Sequence, residues 1–555
     1  NHPGTATISA AFSTSGASGD VRRYIVVGDS AATDVEIDFT GTLGQTGVSD
    51  GRNTTIQKEG PGTMRISAAN YFPRIEVAGG VLIANHNQAL GVSRTGDGGS
   101  VNRVTLAGGT LQAGGADRSY AAAVSLSEST TSTISGDDVN LTLSGNISGA
   151  GHLVKSGTKN LTLSGSNSYT GNTSINQGML SIRTTASLPG WNAASRYSVA
   201  DGATLTVGTG VAEAQVTDML ETGNFQAGSR LGFDTTAGDR MHATSISGPI
   251  GLTKLGSGAL TLSGNNSYSG TTIIDGGMLK LGHKFGLGTN SYGYNNTTYY
   301  RAKGFTLREG VFDFNGMYDY TISGLNTLLI LDTITLGGKA GAETTLAESA
   351  GGGGFGLFAY GGYAGKIVYD ATDNPGAATI SARLSASGTG GSAIRTIVVG
   401  DSSATDVELD FTGILGQTAA DDGRATTIRK EGEGTMQISA ANYFPRLHVA
   451  GGVLIANHDQ ALGVSRTGGL SNLLTLQGAT LQAGGANRSF DTPVTLYSAT
   501  TSAISGNDWN LTLNGVIDGS GNLVKDGTKA LSLTVANVYT GTTTINAGLL
   551  SVNNT

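Results

Sequence analysis

Apolar and polar residues alternate in short runs along most of the chain, and glycine or a cluster of Asn, Thr and Ser ends each run. LTLSG at residues 161–165 and again at 260–264 is typical. A period of two with one apolar face predicts a strand with one face buried. The runs predict strands of about four to six residues with frequent corners. Such strands cannot bury their faces alone, but stacked as rungs they can. The expected fold is therefore all-β, a parallel β-helix (β-solenoid) forming a single continuous rod. Leu, Ile and Val of successive rungs should form interior ladders with a spacing of about 4.8 Å.

The chain also copies itself. NYFPR at 70–74 returns at 442–446, and VVGDS at 26–30 returns at 398–402, both shifted by the same interval. Copying at a fixed offset points to a stacked, quasi-one-dimensional protein. It favours length, reach and multivalency over a single catalytic pocket. The expected modules are 1–185, then 186–372 with extruded Gly- and Tyr-rich loops at 283–304 and 349–370, then 373–555 as a second copy of the first.

A shorter motif lies within the long copy. It occurs at 153–182, 252–281 and 523–552, with weaker copies starting at Ile56 and Ile428. Each opens on a lysine, at 58, 155, 254, 430 and 525. The wide interval after Lys254 predicts a degraded or missing copy between Phe305 and Asp370. Gly256 and Gly258 suit turns with positive φ. The lysine is expected at a surface turn with its stem along the surface, with anion binding as the alternative. Asn167 and Asn266, at equivalent corners, are expected to stack on one another as ladders. A rung is expected to take about 22 residues.

In the copy at 252–281, Lys254, Gly256, Gly258, Leu260, Leu262, Gly264, Asn266, Tyr268, Gly270, Thr272, Ile274, Gly277 and Leu279 fall in the order of the autotransporter-associated β-strand repeat. The chain resembles that family, also called the passenger-associated transport repeat. The resemblance implies a right-handed β-helix in a large secreted or surface-displayed bacterial protein. It implies no ligand. The family usually ends in an outer-membrane β-barrel, which is not read in this sequence, and the abrupt ends read as a window on a longer protein.

Composition narrows the function. Glycine contributes 88 of 555 residues and proline 8, with no cysteine. This excludes disulfides and thiolate metal sites. The formal charge of −8 gives no support for nucleic-acid binding, and no apolar run is long enough for a transmembrane helix. The carboxylates Asp29, Asp34, Glu36 and Asp38 recur as Asp401, Asp406, Glu408 and Asp410. They are read as a solvated strand face, with calcium binding and polysaccharide lyase or hydrolase chemistry as the alternatives. His86 and His458 are read as surface turns. No catalytic residue, cofactor or metal is expected. Tyr292, Tyr294, Tyr299, Tyr300, Tyr360 and Tyr363, in the odd loops, are candidate contacts for glycans or a neighbouring chain. The expected function is a non-enzymatic extracellular structural protein for surface display, adhesion or fibre assembly. Its expected partners are further copies, end to end or side by side, and glycans or cell-surface components.

Overall fold

The computed structural model describes residues 4–12, 22–31, 33–44, 54–71, 74–91, 103–137, 139–294, 297–318, 320–322, 325–351, 353–357, 359–360, 363–385, 394–416, 426–444, 446–464 and 472–553. It forms two units: Asn1–Ala237 with Gly248–Thr253, and Gly238–Ser247 with Lys254–Thr555.

In the first unit the chain winds through three parallel sheets in turn. The strands Arg103–Leu106, Thr110–Ala113 and Arg118–Tyr120 make one rung, and Ala123–Leu126, Thr131–Ser135 and Leu141–Leu143 make the next. Register aligns like with like. Tyr120, Leu143, Leu163, Ile182, Val207 and Phe233 stack as one interior ladder, and none is more than 3% exposed. Burying each such side chain is worth about 1.5–3 kcal/mol. The alternation read from the sequence thus becomes an inside and an outside, as in Asn160–Leu163, where Leu161 and Leu163 are buried and Thr162 faces out.

The second unit is built in the same way. One ladder runs Leu260, Leu279, Phe312, Leu346, Ile380, Phe411, Ile438 and Ala456. The step from Phe312 to Leu346 spends nearly twice as much chain as the step from Ile438 to Ala456, so the expectation of a uniform rung is corrected. A rung needs only its strands in register, and insertions at corners lengthen it freely. Between 305 and 370, where a degraded or missing copy is expected, no lysine among the described residues is buried. Phe305–Asp313, Ile334–Gly337 and Thr344–Ala347 are ordinary rung strands instead.

The two odd segments are only partly extruded. Thr289–Tyr294 and Thr297–Ala302 form an antiparallel hairpin, and Ala359–Tyr360 pairs with Tyr363–Ala364 in a second, shorter one. Gly353–Leu357 and Lys366–Asp370 are rung strands with parallel partners, which corrects the reading of 349–370 as a loop. Glu213–Glu221 is the one α-helix among the described residues, and it buries Val216 and Met219. No helix among the described residues is long and apolar enough to cross a membrane.

Candidate functional site

Each repeat is organised around its lysine, and the expectation of a surface lysine is overturned. Lys58, Lys155, Lys254, Lys430 and Lys525 are all 0% exposed. Lys155 occupies an interior ladder position, in register between Ile134 and Ile175. Its stem therefore packs among aliphatic side chains, while its ammonium reaches the corner. Nζ donates to the carbonyls of Ser156 (2.5 Å), Gly157 (2.7 Å) and Gln177 (3.1 Å). Lys254 does the same to Leu255 (3.0 Å), Gly256 (2.8 Å) and Gly276 (2.9 Å), and Lys525 to Asp526 (2.6 Å), Gly527 (2.7 Å) and Ala547 (3.0 Å). An ammonium has three donors, and the corner aims three carbonyls at it, of which Ser156 O also accepts from Gly136 N (3.2 Å). The cage satisfies both and ties one rung to the next. Burial pulls Lys58, Lys155 and Lys430 down to about 8.

The remaining motif residues complete the corner. Gly256 has φ +79°, which suits glycine, whereas Gly258 is not in that region and its carbonyl accepts from Met278 N at 3.3 Å. The corner asparagines do not stack on one another as expected. Asn266 Oδ1 accepts from Ile246 N (2.8 Å) and its Nδ2 donates to Gly286 O (2.7 Å), so one amide staples three successive rungs by their backbones. Asn167 does the same between Ile147 N and Ser187 O. Tyr169 and Tyr268 are buried, and each hydroxyl pairs at 2.6 Å with Thr173 or Thr272. Burial pushes Tyr169 up to about 12, with the threonine contact opposing. At Gly171 a Cβ would lie 1.9 Å from the Gly151 carbonyl oxygen, so the rungs approach too closely there for any side chain.

The carboxylates are not a solvated face. Glu36 accepts from Ser30 N (3.1 Å) and Thr63 N (2.6 Å). Glu408, 1% exposed, accepts from the equivalent Ser402 N (3.2 Å) and Thr435 N (2.6 Å). Burial acts to raise the Glu36 pKa, but these backbone donors hold it below the usual carboxylate value. Asp38 takes Arg65 and Ser67, each at 2.8 Å, and Asp410 takes Ser439 at 2.8 Å. Glu36 and Glu408 cap backbone donors, while Asp38 and Asp410 take side chains from the neighbouring rung, contacts that a solvated strand would not need. Asp29, Asp34, Asp401 and Asp406 are exposed. Among the described residues no group of three or more His, Asp or Glu is placed to hold a metal ion. His86 and His458 sit in turns, each accepting at Nδ1 from the backbone N two residues on (3.0 Å).

The hairpin register sets Tyr292 opposite Tyr299, Ser291 opposite Tyr300 and Tyr294 opposite Thr297. Tyr360 is opposite Tyr363 in the shorter one. The side chains of these six tyrosines lie outside the described residues. A feature that sequence reasoning missed is a polar cleft of about 210 Å³ in the first unit, lined by Thr162, Ser181, Arg183, Thr209, Asp234 and Thr236, among others. Nothing in the motif signals the cleft.

The passenger-associated-transport-repeat family matches residues 153–182, 252–281 and 523–552. The chain is also similar to the adhesin BmaC autotransporter of Brucella suis biovar 1 (strain 1330), with 28% identity over 592 residues. That match covers 92% of this chain and 16% of the relative's length. No solved structure matches.

Proposed function

We propose that this chain, a member of the autotransporter passenger repeat family, is a non-enzymatic scaffold displayed at the bacterial cell surface for adhesion. The observation that carries the reading is the rung itself. Every repeat uses its distinctive residues, Lys, Gly, Asn and Tyr, to close corners and join rungs. They are therefore committed to holding the solenoid, and recognition falls to what projects from it. Repeated lateral faces multiply weak contacts by avidity. The similarity to an autotransporter adhesin supports both the location and the adhesive role.

The hairpins at 289–302 and 359–364, with Tyr292, Tyr294, Tyr299, Tyr300, Tyr360 and Tyr363, are proposed as contacts for cell-surface components or for a second copy. Aromatic rings suit both, because they give large contact area with little entropy to lose. The lyase reading is disfavoured, because Glu36, Asp38, Glu408 and Asp410 are spent on hydrogen bonds within the fold.

The test is display of the chain on a non-adherent bacterium, with and without the 289–302 hairpin. Adherence above the empty strain, reduced by the deletion, is expected. Adherence equal to the empty strain would end the proposal. Electron microscopy of the purified chain tests self-association separately, with joined particles expected over single ones.

A further inference from the structure

The cleft of the first unit sits where successive strands leave the solenoid at one corner. Met179–Ile182 ends at Arg183, Thr204–Val207 ends at Gly208, and Arg230–Asp234 runs into Thr236. Thr162 and Ser181, neighbours in register on the outer face, contribute hydroxyls to the lining. Gly208 and Gly210 leave the corner open. At Gly210 a Cβ would come within 2.7 Å of the Arg183 carbonyl oxygen.

The hydrogen-bond inventory is unbalanced in a specific way. Asp234 Oδ1 accepts from Thr236 N (2.9 Å) and Thr236 Oγ1 (2.6 Å), which fixes the carboxylate and leaves Oδ2 able to accept. Thr162 Oγ1 accepts from Asn160 Nδ2 (3.1 Å), so its own proton is available. Ser181 donates to Asn160 Oδ1 (2.9 Å), so its oxygen can accept. The exposed Arg183 guanidinium has no partner among the described residues. A fixed carboxylate, a free guanidinium and orphan hydroxyl functions around a small recess complement a ligand rich in vicinal hydroxyls, each of which donates and accepts.

The repeat does not require this chemistry. In the copy at 252–281, the positions of Ser181 and Arg183 are held by Lys280 and Gly282, while the lysine cage and the stapling asparagine are unchanged. The polar set at 162–237 is therefore additional to the fold. We propose that this cleft binds one neutral hexose unit of a glycan, its adjacent hydroxyls bridging Asp234 and Arg183. The proposal deepens the adhesive reading by naming a ligand class, and depends on it only for its biological setting.

The test uses the purified chain and free methyl hexosides, titrated by ligand-observed NMR, so it does not depend on bacterial adherence. Saturable millimolar binding of a neutral hexoside is expected. Arg183→Ala and Asp234→Asn should each weaken it at least tenfold, and Thr209→Trp, which fills the cleft and leaves both charges, should abolish it. Unchanged melting temperatures would show that the fold survives at these accessible positions. Absence of saturable binding, or affinity indifferent to all three substitutions, would overturn the proposal. So would preference for an anionic sugar that tightens in Asp234→Asn, since the cleft would then be a simple anion site.

Discussion

Within the second unit, one interior ladder crosses two kinds of rung. From Leu260 to Leu279 it advances by a short step, and an ammonium capped by three carbonyls closes the corner. From Leu279 to Phe312 and on to Leu346 each step takes far more chain, and no lysine among the described residues there is buried. The interior is aromatic instead. Phe305 stacks on Phe312 at 4.2 Å, Phe312 meets Phe314 edge-on at 4.9 Å, and Phe314 stacks on Phe355 at 4.9 Å. At the following corner, in register with Lys280, the buried charge is an anion. Asp313, 1% exposed, accepts from the backbone N of Asn315 (2.9 Å) and Ser349 (3.0 Å) and from Ser349 Oγ (2.6 Å). The Lys254 corner presents carbonyls and takes a cation. The Asp313 corner presents N–H groups and takes an anion. The buried charge follows from which backbone groups the turn cannot pair.

Four substitutions and one titration bear on this comparison. Stacked repeats unfold by parts, so each is best read by local hydrogen exchange together with denaturant melts. Phe312→Ala should cost about 4 kcal/mol, from lost burial plus a cavity in the aromatic stack, with protection lost around 305–347. Lys254→Met should cost about 3 kcal/mol, because the apolar stem is kept while three corner carbonyls lose the ammonium. Asn266→Ala should cost about 2 kcal/mol by unstapling Ile246 N and Gly286 O. Tyr268→Phe should cost about 1 kcal/mol, the worth of its bond to Thr272. If Tyr268→Phe proved as costly as Lys254→Met, the ranking of lysine over tyrosine within the repeat would be wrong.

The titration concerns Lys155. Its folded pKa of about 8 lies below the ordinary 10.5, so between those values the unfolded chain holds more protons than the folded one. Its contribution to stability therefore rises with pH across that window. The stability of the parent chain relative to Lys155→Met should accordingly increase from pH 8 to pH 10. A flat difference would mean that the three carbonyls hold the ammonium near its ordinary value.

The alternation of LTLSG was enough to place Leu260 and Leu262 inside, because period and burial are linked by strand geometry alone. Although the one read at Gly258 is not there, the positive-φ turn at Gly256, φ +79°, was equally readable. Lys254 was not, since a charged side chain in an apolar pattern reads as exposed unless the carbonyls it caps are known, and these come from residues up to 22 positions away. Glu408 was misread for the same reason, its donors being Ser402 and Thr435. The cleft at Arg183 is formed by three strand exits distant in sequence, and no local pattern encodes it.

The lysine cage is the claim on which this account of the repeat rests, and hydrogen exchange of Lys254→Met beside the parent chain tests it most directly. Protection should fall in the strands Gly251–Leu255 and Thr272–Leu281, whose corner carbonyls the ammonium joins, and hold at Thr344–Ala347. Unchanged protection at 251–281, or an even loss across the whole chain, would contradict it.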